Sequence, residues 1–268
     1  MTHLTYVDRD KFGPWALVTG ASSGIGAEFA RQLAASGLNL VLVARRLPLL
    51  EQLGHTLKQK YQIQYRAVEL DLTEENFLET LDKVTRDLEI GLVISNAGTP
   101  VPGKFLTIER RDLIKSVHLK VIAHLNLAHH FGARLTKRGR GGLLLVSSIG
   151  GLQGVPHVAN NAATEAYVLS LGEALHVEFE KLGVNVTVLM PGPTDTPGIT
   201  KQGVSPDDMP VKPMSPQQVV AEGLAALNAN RATHIAGRMN RWMAALIPRS
   251  MATRVMGNMM EKLFTGKR

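Results

Sequence analysis

Short apolar runs, each closed by glycine, asparagine or a charged residue, alternate along this chain with longer stretches in which apolar residues recur every three or four positions. The first pattern fits buried strands and the second amphipathic helices. Strands are predicted at 15–18, 40–46, 62–69, 90–95, 142–147 and 185–189, and helices near 27–35, 47–60, 74–87, 108–136, 158–181 and 216–228. Strand and helix repeat as βαβ units. The predicted fold is therefore α/β: a single-domain doubly wound parallel sheet, the Rossmann fold, with helices on both faces and a ligand at the carboxyl ends of the strands. That domain is expected over residues 1–230, followed by a C-terminal helical extension over 231–268 packed on it. No linker, low-complexity tract or internal repeat marks a second domain.

One junction carries specific chemistry. The strand at 15–18 runs into Thr19-Gly20-Ala21-Ser22-Ser23-Gly24-Ile25-Gly26, and a helix pattern follows at once. Gly20 supplies a sharp bend, Gly24 removes a side chain where a pyrophosphate would approach the backbone, and Gly26 lets the helix pack against the strand. Ser22, Ser23 and Ile25 complete a turn whose N–H groups, with the helix N-terminus, face an anion. The next strand ends in Arg45 and Arg46, where a dinucleotide fold reads the adenosine ribose. An acid there would accept from a 2′-hydroxyl, whereas a guanidinium fork pairs with a 2′-phosphate. The expected cofactor is NADP(H). The competing interpretation, two solvated arginines opening a helix, does not explain the glycine turn.

Composition narrows the options. The absence of cysteine excludes disulfides, thiolate catalysis and cysteine-ligated metal, and is compatible with a reducing cytoplasm. Residues 1–13 hold no apolar signal-like region and no run is long enough to span a bilayer, so a cytoplasmic protein is expected. The net charge of +7 is concentrated late: Arg231, Arg238, Arg241, Arg249, Arg254, Lys262, Lys267 and Arg268 face only Glu261. Interleaved apolar residues, including Met239, Trp242, Met243, Leu246, Met256, Met259 and Met260, recur at loosely helical spacing. A tail whose Met-rich face packs on the domain or covers its ligand cleft is favoured over contact with an anionic membrane surface. Nucleic acid is not an expected partner, because no binding motif accompanies the charge. His124, His129 and His130 do not place three donors around one point, so no metal site is expected and they read as helix surface or subunit contact.

Over roughly 13–228 the chain resembles the short-chain dehydrogenase/reductase family. The Thr19–Gly26 turn matches its cofactor motif. Asp71-Leu72 stands where the family holds adenine, Asn96-Ala97-Gly98 matches its Asn-Ala-Gly strand end, and Pro191-Gly192 with Thr196 matches its nicotinamide-side motif. The Ala44-Arg45-Arg46 ending is similar to that of NADP-preferring members. The resemblance implies hydride transfer between NADP(H) and a small carbonyl or alcohol, and a homodimer or homotetramer paired through the two long helices. The abundance of Met and Leu favours an apolar substrate, in a pocket formed by 148–158, the loop 197–213 and the tail.

The catalytic positions depart from the family. Its chemistry uses a Ser, a Tyr, a Lys four residues after the Tyr, and an Asn from an earlier helix. Here Ser148 fits the serine, but Asn161 stands at the tyrosine position, Glu165 at the lysine position and His118 at the asparagine position. Tyr167 is six residues beyond Asn161, about 600° of helical rotation away, and reads as a packing residue. Asn161 has no titratable proton, and Glu165 reverses the field that would lower a phenol pKa. Three interpretations stay open: a cofactor-binding member with disabled or slowed chemistry; an active reductase using His118, or a water held by Ser148 and Asn161, as the acid; and non-redox proton transfer or a cofactor-binding sensor, with Glu165 and His118 as an acid/base pair in the old pocket. A plain salt bridge between Glu165 and His118 is the alternative to that last pairing. His157 and Asp195 are weaker candidates for substrate contact.

Overall fold

The computed structural model describes residues 6–198 and 212–265, with side chains to Glu261. Seven parallel strands form one sheet in the order β3-β2-β1-β4-β5-β6-β7. They are β1 Trp15–Thr19, β2 Asn39–Ala44, β3 Tyr65–Glu69, β4 Ile90–Ser95, β5 Gly141–Val146, β6 Val184–Met190 and β7 Thr233–Ile235. β1 and β4 are buried along their whole length, as strands covered on both faces must be. The chain order reverses between β1 and β4. This is the topological switch point, where a doubly wound sheet opens a crevice for ligand. The fold class is the one expected from the sequence.

The helices are α1 Arg9–Phe12, α2 Gly24–Ala35, α3 Leu47–Tyr61, α4 Phe77–Thr85, α5 Arg110–Val117, α6 Ala123–Arg138, α7 Ala159–Glu180, α8 Pro216–Asn228, α9 Arg238–Leu246 and α10 Arg249–Thr265. Alternate residues of each strand feed two cores. Phe29 and Leu33 of α2, Leu50 of α3 and Leu224 of α8 pack on one face with Val18, Leu40 and Leu42. On the other, Phe77 of α4, Phe131 of α6 and Val168 of α7 pack with Leu17, Val41 and Val43.

Two elements differ from expectation. The long helix predicted over 108–136 is interrupted by a π turn, His118–Ile122. β7, which no prediction included, lies beyond the expected domain boundary at 230, and the sheet thus extends through it. With only three half-buried residues, Thr-His-Ile, it is too short for a periodicity signal.

β7 is tied to the tail by a charged clamp. The carboxylate of Glu222 on α8 pairs with His234 Nε2 at 2.8 Å, accepts from Gly237 N at 3.1 Å and accepts from Arg241 Nη1 at 2.9 Å. Burial opposes ionisation of Glu222, but those hydrogen bonds and the charge of Arg241 outweigh it and hold the carboxyl below its usual range. A carboxyl depressed in the folded state stabilises above its unfolded pKa, and that contribution is lost as pH falls through the folded value. The thermal midpoint should therefore fall on acidification below about pH 4.5, and Glu222→Gln should flatten that part of the profile. Parallel melting curves of the two proteins measure the difference; identical slopes would remove the clamp from the account.

Candidate functional site

A cavity of about 1870 Å3 opens over the carboxyl ends of the strands and is closed on one side by the tail helices. All residues assigned from the sequence to catalysis or cofactor binding line it, except His118. His157, Asp195 and Tyr167 are also outside the lining. Most of the loop expected at 197–213 lies outside the described residues.

The glycine turn is built as a close approach. Gly20 and Gly24 have φ of +68° and +57°, a region costly for other residues. A Cβ on Gly20 would lie 2.8 Å from Asn96 Nδ2, and one on Gly26 would overlap the Gly20 carbonyl oxygen. Thr19 bolts this turn to the end of β4: its Oγ1 accepts from the N–H groups of Asn96 at 2.9 Å and Ala97 at 3.1 Å and donates to Ile94 O at 3.3 Å, while Asn96 Nδ2 donates to Thr19 O at 3.0 Å. Gly26→Ala is therefore expected to push the start of α2 off the turn. A loss of about 1–3 kcal/mol in stability is the usual cost of such overpacking, and urea unfolding tests it.

Arg46 reaches back over the turn and donates to Ser22 Oγ at 2.8 Å and Ser23 Oγ at 3.0 Å. Asp71 binds Thr73 through the N–H at 3.0 Å and the hydroxyl at 2.9 Å, with Lys115 3.8 Å away. Burial raises its pKa, but the Thr73 hydrogen bonds and the charges of Lys115 and Arg45 win, leaving the carboxyl below its usual range. The result is a cationic rim beside the glycine turn and the N-terminus of α2, suited to a phosphorylated ligand.

The other end of the cavity holds Ser148, Asn161 and Glu165. Ser148 Oγ accepts from Gly150 N at 3.1 Å and approaches Pro191 O at 3.5 Å. Gly151 permits close packing, since a Cβ there would sit 2.9 Å from the backbone of Glu165. Asn161 Oδ1 is buried with no hydrogen-bond partner. The Glu165 carboxylate is taken by the ammonium of Lys120, in the π turn, and both residues are buried.

Three expectations are corrected here. Glu165 does not pair with His118, either as an acid/base couple or as a salt bridge; its partner is Lys120. Residues 118 and 120 differ by about 200° around a helix, and the face turned inward is that of Ser116, Lys120 and His124, all buried. His124 is not helix surface. Its Nδ1 shares a 2.7 Å hydrogen bond with Ser95 Oγ, and burial, with the charge of Lys120, pushes its pKa down to about 3. Tyr167 is 37% exposed rather than packed. Sequence reasoning missed Lys120 altogether, although the buried stripe of Leu135, Phe131, Leu127 and His124 points back to it.

α9 and α10 form the remaining wall, with Met243, Ile247, Met256, Met259 and Met260 lining the cavity. Their outward side exposes Met239, Trp242, Leu246 and Met251. No helix among the described residues is long and apolar enough to cross a membrane. The described residues contain no cluster of three or more His, Asp or Glu suited to a metal ion.

A family profile described as short chain dehydrogenase matches residues 14–205. The chain is 29% identical over 233 residues to a 7β-hydroxysteroid dehydrogenase of Clostridium sardiniense, covering 87% of this chain and 89% of that one. A solved 7β-hydroxysteroid dehydrogenase structure superposes with a TM-score of 0.85 at 27% identity, over 93% of this chain and 98% of that one. A short-chain dehydrogenase from Sphingobium yanoikuyae, solved in complex with NADPH, gives a TM-score of 0.79 at 26% identity over 96% of each chain.

Proposed function

Because the chain belongs to the short-chain dehydrogenase family of oxidoreductases, we propose that it binds NADP(H) and an apolar carbonyl or alcohol, and that the family's ordinary hydride transfer is slowed in it by loss of the proton-exchanging phenol. The cofactor fits the residues present. The turn of Gly20, Gly24 and Gly26 leaves room for a pyrophosphate, and Arg45 and Arg46 stand beside it. Bound there, NADP(H) would supply or accept the hydride. A relative that acts on a hydroxysteroid and another solved with NADPH support both halves of the ligand assignment. The methionine wall of the cavity suits a bulky apolar substrate.

The observation that carries the slowed chemistry is the Asn161 side chain in the cavity lining. An amide can orient a ligand oxygen by hydrogen bonding, but it cannot deliver and retrieve a proton. Ser148 has a rotatable hydroxyl with which to polarise a carbonyl, and that alone leaves the developing alkoxide without an acid. A role for His118 as replacement acid is disfavoured by its position outside the cavity lining. The test is calorimetric titration with NADPH, followed by stopped-flow NADPH oxidation across a panel of bulky ketones. Binding with very slow turnover is the expected result. Fast turnover by the natural sequence would overturn the proposal.

The same reading includes self-association. α5, the π turn, α6 and α7 expose Ile114, Ile122, Leu125, Tyr167 and Val177. Two copies paired through this face would cover them, so light scattering should give at least twice the 29.1 kDa chain mass.

A further inference from the structure

We infer that Lys120 is the cationic binding residue at the hydroxyl-rich end of the ligand site, with Glu165 as its counter-ion, so that the pair's charges are transposed between helices relative to a lysine carried on α7. This rests on the NADP(H) reading above. The two side chains are in contact and nearly dry, Lys120 at 7% and Glu165 at 6% exposure. Taking two charges out of water costs several kcal/mol per ion, and an apolar pair of the same size is often as stable. The pair is therefore weakly explained by stability. It is better explained by where it lies: both residues line the cavity, and Lys120 Nζ is 3.7 Å from the point a Cβ on Gly98 would occupy, under the turn that ends β4.

The surroundings identify the kind of ligand. An ammonium has three N–H donors, and Glu165 is the acceptor found for it among the described residues. Asn161, one helical turn before Glu165, stands on the same face of α7, about 5–6 Å away between Cβ atoms. Its Oδ1 is buried without a partner, and so is Ser116 Oγ, one turn before Lys120. Ser116 and Asn161 also line the cavity. Unused donors on Lys120, an unused acceptor on Asn161 and an uncommitted hydroxyl on Ser116 thus meet in one corner. Adjacent hydroxyls, which donate and accept at neighbouring atoms, satisfy such a set; a ribose diol has that chemistry. His124, behind Lys120 on the same face, is held neutral and adds no competing charge.

The test compares two ligands of the intact protein. NADPH carries a nicotinamide-side ribose, and adenosine 2′,5′-bisphosphate lacks it while keeping the groups that Arg45 and Arg46 would bind. Lys120→Met with Glu165→Gln removes both charges, so neither is stranded in the interior. In this variant NADPH should bind about tenfold more weakly, the size of a lost hydrogen bond to a charged donor, and the bisphosphate should bind as before. The charge swap Lys120→Glu with Glu165→Lys returns an ammonium to the same corner and should recover much of the NADPH affinity. Unchanged NADPH affinity in the neutral variant would overturn the inference. So would equal weakening of both ligands with a lowered melting point, which would make the pair a folding element. Failure of the natural sequence to bind either ligand would instead overturn the cofactor reading.

Discussion

Asn161→Tyr alone, with Lys120 and Glu165 retained, is expected to raise NADPH-dependent reduction of bulky ketones by about 10²–10⁴-fold, the usual contribution of a positioned acid/base. The new phenol would stand in the cavity lining, in the chain segment that also presents Glu165, beside the Lys120 ammonium. The Lys120 cation favours the phenolate and the Glu165 carboxylate opposes it, so the gain comes from a positioned proton donor rather than from a lowered pKa. The sequence alone suggests changing Glu165→Lys as well. The structure argues against it, because two buried ammonium groups would then face each other where an ion pair stands now. The double variant should gain less than the single one unless Lys120 is also neutralised. Stopped-flow NADPH oxidation distinguishes these outcomes, and Ser148→Ala in each background reports how much carbonyl polarisation contributes. No gain in any of the three would show that the reacting carbon sits elsewhere in the cavity.

Replacing Arg45 and Arg46 together by Ala is expected to abolish discrimination between NADPH and NADH. The natural protein should bind NADPH at least tenfold more tightly, since charge-assisted contacts to a 2′-phosphate contribute about 1.5–3 kcal/mol each. The two arginines are not equivalent. Arg46 already bridges Ser22 and Ser23, so Arg46→Ala should also loosen the turn and weaken both cofactors, whereas Arg45→Ala should act on NADPH selectively. Equal calorimetric affinities of the natural protein for NADPH and NADH would exclude a phosphate-reading role for the pair.

The contrast between what was legible in the chain and what was not follows from range. The glycine turn, its strand and its helix are contiguous in sequence, and their conformations are fixed by local sterics at Gly20, Gly24 and Gly26. The strands β1, β2, β4, β5 and β6 announce themselves because burial on both faces demands near-continuous apolar runs, whereas the edge strand β3 has a single buried residue. By contrast, the partner of Glu165 lies 45 residues away, and its identity depends on which face of a helix meets α7. Family spacing directs attention to His118, whereas the burial of Ser116, Lys120 and His124 at intervals of four sets the inward face, and a π turn between 118 and 122 interrupts the helical phase there. For a related reason the sequence points to His124 as surface: a histidine on a long helix reads as exposed, and only Ser95 at the end of β4, distant in the chain, marks it as held inside.

The wall of methionines is built apart from the sheet. It comes from one contiguous stretch, 243–260, that follows the last strand of the sheet and contributes nothing to the strand pairing. Glu222 anchors the chain just before that stretch through His234 and Arg241. One wall of the ligand cavity is thus encoded in a single run of chain, separate in sequence from the segments that build the sheet. Exchanging this stretch for that of a relative, behind the Glu222 anchor, would change the cavity wall while leaving all seven strands in place.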